Sequence, residues 1–179
     1  AFYESRQNLT MKPIVEALIN GVSPTDFLKT NTGNLLTTGN DNLLLLPGHL
    51  DVADLDSQIS VSLKIASGIP ATRNIPGNLP AILQEIAGEN NIDYVLYDLS
   101  PNVGGLNEVT LMSSDYFIVP TSPDYFCLQA IGSLEKNIIK WQREIKRFRE
   151  DNNFDNRNFS IKNSPKFLGA VQQRYRPRN

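Results

Sequence analysis

One polar turn in this sequence directly follows a short apolar run and begins with a residue type that can hold a metal ion. Asp98 comes straight after the run 94–97, and Ser100, Pro101 and Gly104 follow it. A carboxylate at the end of a strand can hold magnesium through water, because magnesium keeps several waters and uses few carboxylates. Asp98 is therefore the candidate metal ligand. The alternative is a turn-forming aspartate that hydrogen-bonds its own backbone.

A second candidate surface is a row of basic side chains on a long predicted helix, residues 125–149, with Asp124 as its expected cap. Spacings of four, three and four residues place the row on one helix face. Such a row suits contact with DNA phosphates, and it equally suits a face that only meets solvent. We refer to these residues as the basic stripe: Lys136, Lys140, Arg143 and Arg147.

The elements that must position these groups follow from the apolar pattern. Continuous apolar runs predict buried strands at 43–46, 94–97, 116–119 and 167–171. Helical periodicity, caps and breakers predict helices between them, at 11–19, from 24, at 51–65, 79–87, 106–112 and 125–149, with loops over 29–42 and 67–78. The alternation of strands and helices favours an α/β fold, in which a parallel, Rossmann-like sheet is flanked by helices on both faces.

Composition fits one ordinary globular domain with a formal net charge of −2. The single cysteine excludes an internal disulfide framework and fits a reducing cytoplasm. Charge is uneven, since 12 of the 17 Lys and Arg residues lie from residue 136 onward. The chain starts at Ala1 and ends in a polar run, so we expect both ends to be cuts in a longer protein. A natural chain that has lost its methionine is the alternative.

The order of several motifs resembles the ParA/MinD family of partition and positioning ATPases. The family has a strand that ends in Asp, then Pro and Gly, a helix, a strand ending in Val-Pro, and a Pro-Glu-Tyr-Phe-like turn. The matching residues here are Asp98, Pro101, Gly104, Val119-Pro120 and 123–126. The turn at 45–49 and the segment 169–178 resemble two further family motifs, so the resemblance covers most of the chain.

The resemblance implies one incomplete ATPase domain of the P-loop NTPase type over residues 1–179, with ATP and magnesium as cofactors. It implies that Asp98 supports magnesium and acts in catalysis. It also implies that the loop with Ser100, Pro101 and Gly104 senses the terminal phosphate, and that Gln173 lies near the adenine. Part of an ATP-dependent homodimer interface would be the turn Pro123, Asp124, Tyr125 and Phe126.

Two family motifs are missing from the 179 residues. One is the Gly-rich loop with two lysines that cradles the phosphates, and the other is an Asp-Pro-Gln turn. Both belong before the helix that begins near Thr10, so we expect the whole protein to carry them in one further βαβ unit of roughly 30 residues. The chain alone would then be inactive. Ser100 also stands where the family often has proline.

By the same resemblance, the intact protein would be a cytoplasmic ATPase that segregates or positions DNA. Its expected partners are non-specific DNA, a second copy of itself and a ParB-like protein. A non-catalytic DNA-binding or interaction module is the first alternative, because the phosphate loop is missing. A receiver domain with Asp98 as phospho-acceptor is the second, and it is disfavoured because the acidic pair and the Lys-Pro that receivers need are absent.

Overall fold

The structure is a computed structural model that describes residues 7–31, 33–64, 73–100, 102–154 and 159–173. Pro101 and the segment 174–178 of the sequence-based predictions lie outside these ranges, as does the side chain of Phe126. The elements within the described ranges are α1 Met11–Ile19, α2 Pro24–Thr30, β1 Leu36–Thr37, β2 Leu44–Leu45, α3 Val52–Lys64, α4 Ile75–Glu89, α5 Gly105–Ser113, β3 Tyr116–Thr121, α6 Tyr125–Asp151 and β4 Lys166–Gln172.

Side-chain caps start three of the helices, as the sequence predicted. The hydroxyl of Thr10 accepts the N–H of Lys12 at 3.3 Å in α1. Ser23 accepts the N–H of Asp26 at 3.2 Å in α2, and Asp124 caps α6. Each cap satisfies an N–H that has no partner inside its own helix, so these starts are determined locally.

The core is formed by helices, with α3 packed against α1, α4, α5 and α6. Leu55 and Ile59 of α3 are fully buried, together with Ile82 of α4 and Ile145 of α6. Burying one such side chain stabilises the fold by about 1.5–3 kcal/mol. The buried side of α6 packs on α3 and α5. No helix in the described ranges is both long and apolar enough to cross a membrane.

Two small sheets account for the described strands. Strands β3 and β4 are parallel, as predicted, with Tyr116 opposite Lys166 and Thr121 opposite Gln172. Strand β3 continues through Pro120, where the sequence predicted a stop. Proline is tolerated because β3 has a neighbouring strand on one side only in the described part of the chain. The fold is α/β, and the predicted broad sheet with helices on both faces is seen only as this pair.

The prediction of a buried parallel strand at 43–46 was wrong. Leu44–Leu45 instead pair antiparallel with Leu36–Thr37, which lie in the predicted 29–42 loop. Leu43 and Leu45 are each about half exposed. The apolar run indicated burial, but its only strand partner in the described residues is this two-residue strand.

The prediction of a buried strand at 94–97 was also wrong. This segment has no strand partner, and its backbone makes no hydrogen bond within the described part of the chain. Tyr94 is 87% exposed and Leu96 is 89% exposed. Tyr97 lies against α4 and α5, where burial, and then the charge of Asp115, raise the pKa of its phenol. Among the residues that the structure describes, the run therefore has no backbone partner, and Tyr94 and Leu96 face solvent.

Helix α4 starts at Ile75, inside the predicted 67–78 loop. Prolines in that stretch suggested a break, but Pro76 lies in the first turn, where its missing N–H costs nothing. Pro80 follows only five residues after the helix start and is buried in the core. Residues 67–72 of the predicted loop lie outside the described ranges.

Helices α3 and α5 approach so closely that glycine is required at their contact. A Cβ on Gly105 would lie 2.6 Å from the backbone nitrogen of Ser60 and 2.9 Å from Cγ2 of Ile59. Real Cβ atoms are not found at such distances, and the backbone of α3 cannot move aside without disturbing the core. The start of α5 is therefore fixed against α3.

Gly105→Ala should lower the free energy of unfolding by about 1–3 kcal/mol, because an extra methyl group overpacks this contact. Gly132→Ala in the middle of α6 is the matched control, since a Cβ there would meet no atom within 4 Å. It should raise the free energy of unfolding by about 0.5–1 kcal/mol through the lower backbone entropy of alanine. Urea denaturation of both variants checks this, and equal effects would contradict the close contact.

Candidate functional site

The candidate loop, which we define as residues 98–104, joins the unpaired run 94–97 to helix α5. Its first residue, Asp98, is exposed, and its carboxylate accepts no hydrogen bond from the described part of the chain. The alternative of a turn-forming aspartate predicted such a bond to the backbone, and the described residues contain none. The exposed carboxylate is accessible from solvent.

The rest of the candidate loop is held by a network of side-chain amides. Asn107, which is buried in α5, donates to the carbonyl oxygens of Ser100 at 2.6 Å and Asn102 at 2.8 Å. Asn102 donates to the Ser100 hydroxyl at 2.8 Å and accepts the N–H of Gly104 at 3.0 Å. These hydrogen bonds tie Ser100, Asn102 and Gly104 to one another and to α5 without the help of a ligand.

Helix α5 has no side-chain cap of its own, because its N-cap residue is Gly104. Two side chains of α3 replace the cap. Asp56 accepts the N–H of Leu106 at 2.7 Å, and Ser60 accepts the N–H of Gly105 at 2.9 Å. The candidate loop is thus anchored at its end to the helical core.

Asp98 fits a magnesium ligand of the water-bridged kind. No group of three or more His, Cys, Asp or Glu residues that could hold a metal occurs in the described ranges. A magnesium ion here would use one carboxylate, with waters and phosphate oxygens as its other ligands. An exposed carboxylate on a fixed loop meets that requirement. ATP fits less completely, because the chain lacks the Gly-rich loop that would hold its phosphates.

A second group of candidate residues meets at the carboxyl edge of the parallel strand pair. Gln173 follows β4 and donates its backbone N–H to the Thr121 carbonyl at 2.7 Å. Pro123, Asp124 and Tyr125 line an open groove of about 490 Å³ together with Thr121 and Gln172. Gln173 thus lies next to the groove of the predicted interface turn through Thr121 and Gln172, and no contact within the described residues joins Asp98 to this groove.

The four residues of the basic stripe are all exposed on α6, as their spacing predicted. Two of them are partly neutralised along the helix. Lys140 lies 3.7 Å from Glu144, and Arg147 lies 3.3 Å from Asp151. Exposed pairs of this kind are weak, so a strong anion could replace the carboxylates.

Glu108 of α5 is a buried carboxyl that the sequence did not single out. Its side chain belongs to a residue only 6% exposed, and its Oε1 atom has no hydrogen-bond partner. Burial, and then the charge of Glu144, raise its pKa from an ordinary 4.5 to about 8, while Lys140 and Lys64 oppose the shift. Glu108 is therefore protonated at neutral pH.

The residues that anchor the loop were also missed. Asp56, Ser60 and Asn107 lie on predicted helices, where short polar residues ordinarily face solvent. Their partners are 45 and 50 residues away for the two α3 side chains, and no spacing rule links such positions. The one available signal was the pair Gly104-Gly105, since adjacent glycines at a helix start indicate a close approach.

Helices around a parallel strand pair, with a polar loop leading into a helix start, define an α/β domain. Residues 6–150 match the family described as AAA domain. The chain belongs to this family, which falls within the P-loop NTPases related to ParA and MinD.

Two similar proteins are longer than this chain. The uncharacterized protein MJECL24 of Methanocaldococcus jannaschii is 28% identical over 92 residues, which make up 51% of this chain and 31% of that protein. The crystal structure of protein DIP2308 from Corynebacterium diphtheriae aligns with a TM-score of 0.70 at 18% identity. The alignment covers 91% of this chain and 59% of that one, and it supports the fold alone. The chain therefore spans about a third to three fifths of these proteins.

Glu108→Gln should stabilise the protein at pH 8 and leave it close to the wild type at pH 5. A carboxyl whose pKa is higher in the folded protein binds its proton more tightly there, so stability falls as the pH rises from about 4.5 to about 8. Glutamine stays neutral, so the gain at pH 8 should be about 1–3 kcal/mol. Urea denaturation across this range measures it.

The matched control for Glu108 is Glu135→Gln, which changes an exposed glutamate on α6. It should not alter the dependence of stability on pH. Parallel stability curves for wild type and Glu108→Gln between pH 5 and 8 would show that Glu108 titrates normally.

Proposed function

We propose that the intact protein is a magnesium-dependent ATPase of the ParA kind, which segregates or positions DNA in the cytoplasm. The observation that carries this proposal is the candidate loop, where a free Asp98 carboxylate starts a segment fixed by Asn107 and anchored on α3. Membership of the P-loop NTPase family supports the nucleotide chemistry. Such an enzyme needs a metal-supporting carboxylate on a fixed backbone next to the phosphates of its nucleotide, and the candidate loop would supply it.

Each part of the chain would have a defined task. Asp98 would orient a water of the magnesium shell, and magnesium would neutralise charge on the phosphates when bound. Ser100, Pro101 and Gly104 would lie beside the terminal phosphate, and the loop that contains them would sense whether that phosphate is present. Gln173, at the carboxyl edge of β4, would contact the adenine through its amide.

The phosphate cradle would come from another segment of the whole protein. Exposed apolar surface supports this, because the run 94–97 and the strand pair β3–β4 both lack a covering layer in the described chain. Ile118 and Leu168 are among the exposed side chains of that pair. A further strand with its helix would pair the free backbone and cover these side chains.

Asp98→Ala in the intact protein should reduce magnesium-dependent ATP turnover by about 100-fold or more, since a preorganised charge at the phosphates is lost. The fold should be unchanged, because the Asp98 side chain is exposed. Turnover assays with circular dichroism as the folding check measure this.

Asp93→Ala is the matched control for Asp98, as it removes an exposed carboxylate just before the same run. It should keep wild-type turnover. Equal turnover in a folded Asp98→Ala variant would leave Asp98 with no part in the reaction.

The basic stripe would bind DNA without sequence preference, and the turn 123–126 would lie in an ATP-dependent homodimer that brings two stripes together. The exposure of all four stripe residues supports the first part. The open groove beside Pro123 and Tyr125 supports the second. A ParB-like partner would then act on the dimer. The basic stripe equally supports a non-catalytic DNA-binding module. The presence or absence of the Gly-rich phosphate loop in the intact protein distinguishes that module from the ATPase.

Replacing Lys140, Arg143 and Arg147 by glutamine should weaken DNA binding equally for all sequences. Each phosphate contact releases counterions, so the slope of log affinity against log salt should flatten by about two to three units. Salt titrations of duplex binding by the intact protein, with and without ATP, measure the slope. ATP should strengthen wild-type binding.

The control for the basic stripe is a triple variant that loses the same charge elsewhere in the chain. It replaces Lys29, Arg73 and Lys166 by glutamine. These three residues are exposed and lie outside α6. If both triple variants give the wild-type slope, the stripe is a solvent-facing helix side and DNA binds elsewhere.

A further inference from the structure

We infer that Asp56, assisted by Ser60, is a positioning residue that fixes the candidate loop through the start of α5. The inference rests on the proposed function, because it concerns the loop that would sense the terminal phosphate. Nothing in the sequence pattern marks Asp56 as a site residue. The contact with α5 does.

The geometry places both side chains on one face of α3, four residues apart, against the first N–H groups of α5. The Asp56 carboxylate accepts from Leu106 at 2.7 Å, and the Ser60 hydroxyl accepts from Gly105 at 2.9 Å. Carboxylates are stabilised at the N-terminus of a helix, where unpaired N–H groups and the helix dipole carry positive charge. Hydrogen bonds to a charged acceptor are also stronger than neutral ones.

The same carboxylate occupies the space beside Gly104. A Cβ placed on Gly104 would overlap both carboxylate oxygens of Asp56, so glycine at this position lets the carboxylate reach the Leu106 N–H. Moving the start of α5 away from α3 would break that hydrogen bond. Asp56 therefore holds the end of the loop against α3.

A chain of direct bonds connects this contact to the far end of the loop. Gly104 donates to Asn102, Asn102 donates to Ser100, and Asn107 donates to the carbonyls of both. Ser100 is two residues from Asp98, so the position of α5 relative to α3 sets where the Asp98 carboxylate stands. A misplacement of about 1 Å at a reacting group can slow a reaction by about 100-fold.

The contact also determines which anion the start of α5 can accept. The N–H of Leu106 is already bonded to Asp56, and that of Gly105 to Ser60. A phosphate cannot use these two groups without displacing a carboxylate. The loop would therefore meet the terminal phosphate through its outer backbone, with the helix start serving as its support.

The test compares Asp56→Ala, Asp56→Asn and Asp54→Ala in the intact protein. Asp54 is an exposed carboxylate one half-turn away on α3 and serves as the control. Asparagine keeps an acceptor for the Leu106 N–H while it removes the charge. The readouts are kcat and KM for ATP and hydrogen exchange at the amide of Leu106.

We expect Asp56→Ala to lower kcat by about 10-fold to 100-fold with KM changed less than about threefold, because binding energy would come mainly from the phosphate cradle. Exchange at Leu106 should accelerate by about tenfold or more as its charged acceptor is lost. Asp56→Asn should recover most of both losses, which loss of folding would not allow. Asp54→Ala should match the wild type.

The outcomes separate the two proposals. A wild-type protein without ATP turnover overturns the proposed function, whatever the variants do. Normal wild-type turnover that is equal in Asp56→Ala and Asp54→Ala overturns the positioning role alone. So does a fall in kcat without faster exchange at Leu106, because the effect would then not pass through α5.

Discussion

The close contact between α3 and α5 is the interaction on which the rest of the structure depends. It combines apolar burial, with Leu55 and Ile59 of α3 fully enclosed, and the polar contact of Asp56 with the start of α5. Glycine at 105 is required for the close packing, because a Cβ there would meet the backbone of α3, and glycine at 104 leaves the space that the Asp56 carboxylate occupies. The candidate loop enters α5 at this point, so its shape follows from the packing of the core rather than from its own sequence.

The sequence was sufficient where local interactions decide. Helix α1 follows from its apolar spacing and from Thr10, and α6 follows from Asp124 and a long periodic face. Strands β3 and β4 were also found at their apolar runs, but both are largely exposed in the described structure, whereas the sequence predicted burial. The runs 43–46 and 94–97 are also apolar and did not become buried strands, because an apolar run indicates a tendency to be covered and cannot supply the neighbour that covers it.

The candidate site divides in the same way. Asp98 and the residues of its loop were identified from a run of apolar residues and the turn after it, and the basic stripe from helical spacing. The network that holds the loop was not predicted from the sequence, since Asp56, Ser60 and Asn107 act through tertiary contacts between separate segments. The burial of Glu108 was not predicted for a related reason. The sequence around a single glutamate in a short helix does not indicate that its carboxyl will be buried.

The unpaired run at 94–97 has a consequence for how this chain behaves in solution. Its backbone N–H and C=O groups make no hydrogen bond within the described residues, and Tyr94 and Leu96 are almost fully exposed. Such an edge accepts a strand from any chain that reaches it, including a second copy of itself. Preparations of this chain by itself should therefore self-associate as concentration rises, by addition of strands rather than through the groove at 123–125. A protein in which residues 94–97 are covered would not self-associate in this way. A solubility measurement would therefore show whether this segment is covered.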